Sequence, residues 1–493
     1  MGPQNVICHS PATAQMHQAE IAIALAAKIH WMQPLSLGND YEVRSRLTES
    51  LIGGGNPGIA RIYDSIASIL VSKPRHEHIA ATMLFHYPRQ AILLLANNQP
   101  FDVSKIHSYL GKVWELLKDL SHAFSAIRTS QNQGQEQEGP SIDRDRVSSF
   151  FYALHDQRVS PLIHDLKVLI YSHAVDKFHR RIDKRWSGFQ ALIKALKDII
   201  NNAEVPQAEP NMNYLNLVRV SEFLEFLRDK PVDGDFFVRI VDGFNAAASE
   251  IPGVQLDEWS TLVYWHCPGC ECFFFLSIFG VDLSLIWFLV GNLPFPLRRY
   301  LDKIRDLHRH FHALIGYAHS PYLRHYFTME FFIKLDIPHD QNATPIPRSV
   351  SQWIIVAESI LDTENLELID QDTVLQRVVF GYSHTRDPIP ACVHSEVRLL
   401  HYLENIGEAS GQIYIGLNRP SCMGCYFFVR NHNKRHPEGC VSTRDPRDRY
   451  VFPWNFPTGT GLDFRREVWR CVAEDLRERF VMFGFTQEKV ASS

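Results

Sequence analysis

Four residues carry chemistry by type and spacing: His394, Glu396, Cys422 and Cys425. They fall in two short stretches, Cys392-Val393-His394-Ser395-Glu396 and Pro420-Ser421-Cys422-Met423-Gly424-Cys425. One imidazole and two thiols in C-x-x-C spacing make three good zinc ligands and leave a fourth tetrahedral position for water. Glu396, two residues after the histidine, is the kind of group that moves protons to and from such a water. The same ligands also suit a purely structural zinc, with Cys392 or Cys440 as the fourth donor.

Those side chains need elements that aim them at one point. The pattern predicts a helix over 350–361 and strands over 366–370 and 374–382. The segment Val393–Asn405 reads as a helix with His394 and Glu396 near its N-terminus and Leu399, Leu400 and Leu403 facing the core. Gln412–Asn418 is a buried strand by composition, and Pro420 suits the opening of a second helix that carries both thiols. A helix N-terminus has partial positive charge, which favours the thiolate that zinc requires.

H-S-E followed by P-S-C-M-G-C resembles the zinc-dependent cytidine deaminase-like superfamily, whose signature is H-x-E…P-C-x-x-C. The long chain and the late position of the motif are most similar to deaminases of filamentous fungi related to an Orientia protein. The resemblance covers roughly residues 350–485. It implies a C-terminal three-layer α/β/α domain, Zn2+ held by His394, Cys422 and Cys425, and Glu396 as the catalytic proton carrier. It further implies hydrolytic deamination of a cytosine- or adenine-type base in a nucleotide or nucleic acid, and relatives of this kind often associate as oligomers. One departure stands out: Ser421 separates Pro420 from Cys422, so the second helix is expected to start one residue late.

The remainder reads as a long, mainly helical region over 1–345, with the zinc domain at 346–493 after a Pro-rich linker (Pro338–Ser349). Helices are predicted over 13–33, from Ile59 onward, and over 76–96, 104–127, 145–157, 161–181, 185–202, 212–228 and 234–249. The Gly53–Gly58 run is a helix-breaking turn, because no Gly-Lys-Ser/Thr follows it. Gln- and Glu-rich Thr129–Gly139 is expected as a disordered loop. A basic amphipathic helix follows Pro296. His266–Cys272 holds C-x-x-C-x-C, a weaker metal candidate.

Composition bounds the rest. With 493 residues, 45% hydrophobic and 21% charged, the chain can bury a large core. A net charge of −5 argues against a protein that coats nucleic acid along its whole surface. Nine cysteines and no secretory signal lead to an expectation of a reduced, intracellular protein, cytoplasmic or nuclear. Cys272–Phe295 is almost continuously apolar and long enough to span a membrane. Asp282 near its centre would cost at least about 2.5 kcal/mol there, so a buried helix is expected and a membrane partner is not.

From Arg419 to Arg449 there are seven Lys or Arg against three acids, which suits a phosphate-bearing substrate. Arg430 and Arg435 are the candidate contacts. Tyr450–Phe456 should be a strand, with Trp454 or Phe456 able to stack on a base or to fill the core. Asp463–Phe480 closes the chain as an amphipathic helix. The rival reading is a non-catalytic interaction protein that keeps zinc as a staple and uses the helical region to bind a protein partner.

Overall fold

The computed structural model describes residues 17–30, 57–73, 77–86, 89–134, 153–202, 212–229, 234–265, 295–335, 337, 341–344, 346–347, 349–360, 379, 382, 389–409, 411–444, 446 and 449–491. Helix α1 (Gln18–His30) and helix α2 (Pro57–Ile69) precede a hairpin of β1 (Ile79–His86) and β2 (Gln90–Asn97). Among the described residues eight α-helices follow: α3 (Val103–Gly134), α4 (Ser160–His173), α5 (Val175–Asp183), α6 (Trp186–Asn202), α7 (Met212–Asp229), α8 (Gly234–Ser249), α9 (Gly253–Trp265) and α10 (Leu297–His319). Then come β3 (Glu330–Lys334), β4 (Gln341–Thr344), α11 (Val350–Ile360), β5 (Ile389–Cys392) and α12 (Ser395–Asn405). The chain ends with β6 (Ile413–Leu417), α13 (Met423–Arg435), β7 (Val441–Thr443) and α14 (Leu462–Ala491).

The helix expected over 76–96 is the β1–β2 hairpin instead, paired from Ile79↔Asn97 to His86↔Gln90. Its strands are covered on both faces, so they are apolar almost throughout and lose the alternation that distinguishes strand from helix. Residues along each strand still divide by parity. Ala81, Met83, Leu93 and Leu95 face a core shared with α2–α10, whereas Ala80, Leu94 and Ala96 face a second core shared with α1 and α11–α14. The result is a sheet with a helical layer on either side.

The sheet order is β3-β2-β1-β6-β7. Strand β1 pairs antiparallel with both β2 and β6; β2–β3 and β6–β7 are parallel. A parallel neighbour requires a long crossover, and here that crossover contains α3–α10. The helical region is therefore an insertion between two adjacent strands. An expected boundary at 345/346 would cut β1–β3 away from β6 and β7, so the division does not follow the sheet. Helix α1 also belongs with the C-terminal elements: Glu20 Oε1 meets Arg465 Nη1 at 3.2 Å in the interior. At Gly416 in β6 a Cβ would collide with the Tyr63 backbone, so α2 presses directly on that strand.

Other expectations change in detail. Helix α3 continues through Gly134, into the stretch expected as a loop, and 161–181 breaks at Ala174 into α4 and α5. Tyr450–Phe456 is irregular rather than a strand, because Pro453 has no N–H to give a ladder. Val379 and Tyr382, the described residues of the strand expected over 374–382, are helical instead. The rest of that strand, the strand expected over 366–370, the His266–Cys272 motif, the Gly53–Asn56 run, most of the 145–157 helix and all of the apolar stretch except Phe295 lie outside the described residues. Among the described residues no helix is long and apolar enough to cross a membrane.

Expressed alone, residues 346–493 would lack α1, α2 and β1–β3 and leave β6 with a bare edge. That fragment is expected to aggregate or to melt without a cooperative transition, unlike the full chain. Circular dichroism on heating checks this, and a sharp transition in the fragment would refute it.

Candidate metal centre

Two helix N-termini meet at the edge of the sheet. His394 is the N-cap residue of α12 and Cys422 the N-cap residue of α13, both with extended backbone, and Cys425 lies in the first turn of α13. Neither side chain caps the first backbone N–H groups of its helix, so the two can face each other. The residue inserted at 421 is absorbed in the lead-in: Ser421 is buried and donates to Thr443 Oγ1 of β7 at 3.2 Å.

His394 Nδ1 lies 3.5 Å from Cys422 Sγ and 3.2 Å from Cys425 Sγ, and the sulfurs are 3.5 Å apart. Tetrahedral ligands at ordinary zinc distances stand about 3.5–3.8 Å apart, so the trio could hold a metal ion. The Pro453 carbonyl, 3.1 Å from His394 Nε2, can only accept, which puts a proton on Nε2 and turns the Nδ1 lone pair toward the sulfurs. Burial alone would raise the Cys422 thiol, but hydrogen bonding with Cys425 and the His394 ring hold it well below its ordinary value. Cys392 and Cys440, the alternative fourth donors, stand outside this group.

Glu396 is fully buried in the first turn of α12. Its Oε2 accepts from Ser395 Oγ at 3.3 Å and lies 3.4 Å from His78 Nδ1. Its Oε1 has no protein partner among the described residues. Burial would push this carboxyl up, yet His78 and His394 beside it hold it below the usual value.

His78 was not legible in the sequence. It precedes β1 and comes 2.8 Å from Ser395 Oγ, with its ring 6.1 Å from that of His394. Because Ser395 Oγ spends its proton on Glu396, His78 Nδ1 is the donor to Ser395. Burial holds the His78 ring below its ordinary value, with Glu396 opposing. Neighbouring bonds lock the arrangement: Asn98 Oδ1 accepts from Ser395 N at 2.9 Å, and Arg398 Nη2 donates to Asn97 O at 2.6 Å. Asn418 clamps the other side, accepting from Ile79 N at 2.9 Å and donating to Glu77 O at 3.1 Å. No single-sequence motif marks these residues, because each is defined by a partner hundreds of positions away.

The aromatic candidates serve differently from a base-stacking platform. Trp454 and Phe456 are fully buried, and Trp454 Nε1 donates to Cys425 Sγ at 3.2 Å. Phe456 packs on Trp454 with ring centroids 4.8 Å apart. Arg435, at the far end of α13, is held by both oxygens of Glu467 at 3.0 and 2.9 Å. Arg430 is exposed on α13, about 12 Å along the axis from Cys422. Neither arginine reaches the cluster end of the helix.

A family profile described as "OTT_1508_deam:-like deaminase" matches residues 393–458, the segment that holds all four chemical residues. No curated protein and no solved structure matches the chain. What the fold and the comparison define together is an α/β protein with a deaminase-like segment and a His/Cys/Cys cluster suited to a metal ion.

Trp454→Phe keeps an aromatic ring in the core and removes the N–H that supports Cys425. Metal affinity is expected to fall about 10- to 100-fold, read by competition with a chromophoric chelator, with thermal stability of the metal-free protein little changed. Unchanged affinity would mean the indole donor is idle.

Proposed function

We propose that the protein is a zinc-dependent hydrolytic deaminase acting on a cytosine- or adenine-type base of a nucleotide or nucleic acid. One observation supports this most: a buried carboxylate with one oxygen held and the other unpartnered, next to three convergent metal donors. A structural staple has no use for such a group. His394, Cys422 and Cys425 would hold the ion, whose chemistry is to make water a nucleophile at neutral pH. Glu396 takes the proton of the attacking water at Oε1, delivers it to the ring nitrogen, and then assists departure of the amine as ammonia. Water oxygen replaces the amine nitrogen on the ring carbon, so the base leaves as its carbonyl form.

His78 and Ser395 have a positioning part. Holding Oε2 fixes the carboxylate rotamer, so that Oε1 swings neither into the helix nor away from the donors. Substrate charge has a counterpart as well. Arg419, which follows β6, acts electrostatically on His78 and on Lys177 and Arg181 of α5. Burial holds the Lys177 ammonium down to about 7, and Arg181 and Arg419 add to this. Arg181 is paired with Asp306 at 3.4 Å and Lys177, at about 7, is only partly charged, so Arg419 is the group offered to the phosphate of a nucleotide.

Ammonia release from cytosine and adenine nucleosides, nucleotides and single-stranded oligonucleotides tests the reading. Glu396→Gln is expected to lose at least about 100-fold in turnover while keeping its zinc. If Glu396→Gln spares all function while Cys422→Ser destroys folding, zinc is a staple and the interaction reading takes over. A companion pair reads the positioning role: His78→Ala is expected to lower kcat by up to about 100-fold with zinc content and KM little changed. His78→Asn, which keeps a donor near the Nδ1 position, should recover part of that loss.

A further inference from the structure

Helices α12 and α13 run parallel, since both begin at the His394/Cys422/Cys425 cluster. Their C-terminal ends therefore also lie together, and a second group of ligand-type side chains collects there. Glu404 in the last turn of α12, His432 in the last turn of α13 and His436 at its C-cap place ligand atoms within 4.8 Å of one another. The step from His394 to Glu404 equals that from Cys422 to His432, so this group sits about 15 Å down the same two helices.

The ring of His432 is the informative one. It is 2% exposed, yet its Nε2 has no hydrogen-bond partner. Glu404 Oε1 lies 2.9 Å from that nitrogen, off the direction in which the ring could donate. The other ring nitrogen, Nδ1, is 3.4 Å from Asn433 Oδ1. Two bonds to the β7 backbone fix the Asn433 amide: Oδ1 accepts from Val441 N at 2.9 Å, and Nδ2 donates to Val441 O at 2.7 Å. Asn433 thus presents an acceptor, which places the His432 proton on Nδ1 and leaves Nε2 as a lone pair facing a carboxylate oxygen. Two acceptors at that distance repel unless a cation sits between them. Cis ligands on one six-coordinate first-row ion, with bonds of about 2.0–2.2 Å, stand about 2.8–3.1 Å apart, and 2.9 Å falls in that range.

The surroundings agree. His401 Nδ1 lies 3.4 Å from the other oxygen of Glu404, Oε2. Glu438 Oε1 lies 3.4 Å from His436 Nδ1 and adds negative charge at the rim. Both helix C-termini contribute partial negative charge here, which favours a cation, just as the two N-termini favour thiolates at the other end.

We infer that Glu404, His432 and His436 form a second metal site, for a first-row divalent cation of zinc type, that clamps the C-terminal ends of the two helices whose N-termini carry the first cluster. Imidazole and carboxylate without sulfur suit zinc, cobalt or nickel, and the exposure of His436 gives the ion a way in. The site does not depend on the deaminase reading.

Untagged full-length protein, freed of metal and reloaded with Co2+ or Zn2+ before gel filtration, tests this. Two equivalents per chain are expected, and in the cobalt form only one of them should give a thiolate-to-metal charge-transfer band. Glu404→Gln and His436→Ala, both at partly or fully exposed positions, should each lower the count from two to one with that band intact. Cys425→Ser should instead remove the band and leave one equivalent. A wild-type protein that binds a single, thiolate-ligated equivalent overturns the inference, as does a count of two that neither Glu404→Gln nor His436→Ala reduces. Loss of deaminase activity in Glu396→Gln, or its absence altogether, leaves the metal count untouched and so is read separately.

Discussion

The pairing of β1 with β6 is the contact on which the rest depends. It joins segments far apart in the chain, with Ile79 and Asn418 bonded across 339 positions. Closing so long a loop costs entropy that rises only slowly with length, and burial of both sheet faces offsets it. Once Ala80 stands against Leu417, the start of β1, the exit of β2 and the exit of β6 share one edge. His78, Asn98 and Asn418 are then delivered together to the N-terminus of α12. Without that register, His78 would not reach Ser395 Oγ and Glu396 Oε2.

The same edge explains why helix N-termini gather there. The carboxyl end of β6 leads into α13 and that of β5 into α12, and both helices open beside the ends of β2 and β6. Partial positive charge from two N-termini favours thiolate and carboxylate among these buried side chains. Burial alone would neutralise those groups; the neighbouring imidazoles counter it at Cys422 and Glu396, whereas burial and Cys422 push the Cys425 thiol up against the pull of the Trp454 indole. A fully buried carboxylate beside soft donors is tolerable only because each of these groups is in place.

Helices α3–α10 occupy the crossover between β2 and β3, and their placement has a consequence for the site. Through α5 the insertion brings Lys177 and Arg181 into electrostatic range of Arg419. A segment that reads as a separate helical domain in one dimension thus borders the chemistry in three. The long helix α10 packs on α2, which in turn presses against Gly416, so the insertion also supports the strand that precedes the cysteine helix.

Local chemistry was legible from residue order. His394, Glu396, Cys422 and Cys425 sit on a helix–strand–helix unit whose parts are consecutive, so apolar spacing and Pro420 were enough to place them. Most helices of the insertion were legible for the same reason, since a helix carries its hydrogen bonds and its period within itself. The hairpin was not, because two-sided burial erased the alternation of β1 and β2. Trp454 was legible as an aromatic near the site but not as a donor to sulfur, which depends on where its indole N–H points. His78, and the meeting of Glu404 with His432 and His436, were beyond reach for a more general reason. Sequence encodes what a residue can do and the period of its own element, whereas partners from distant segments are chosen by sheet register and helix packing, and these exist only once the chain has folded.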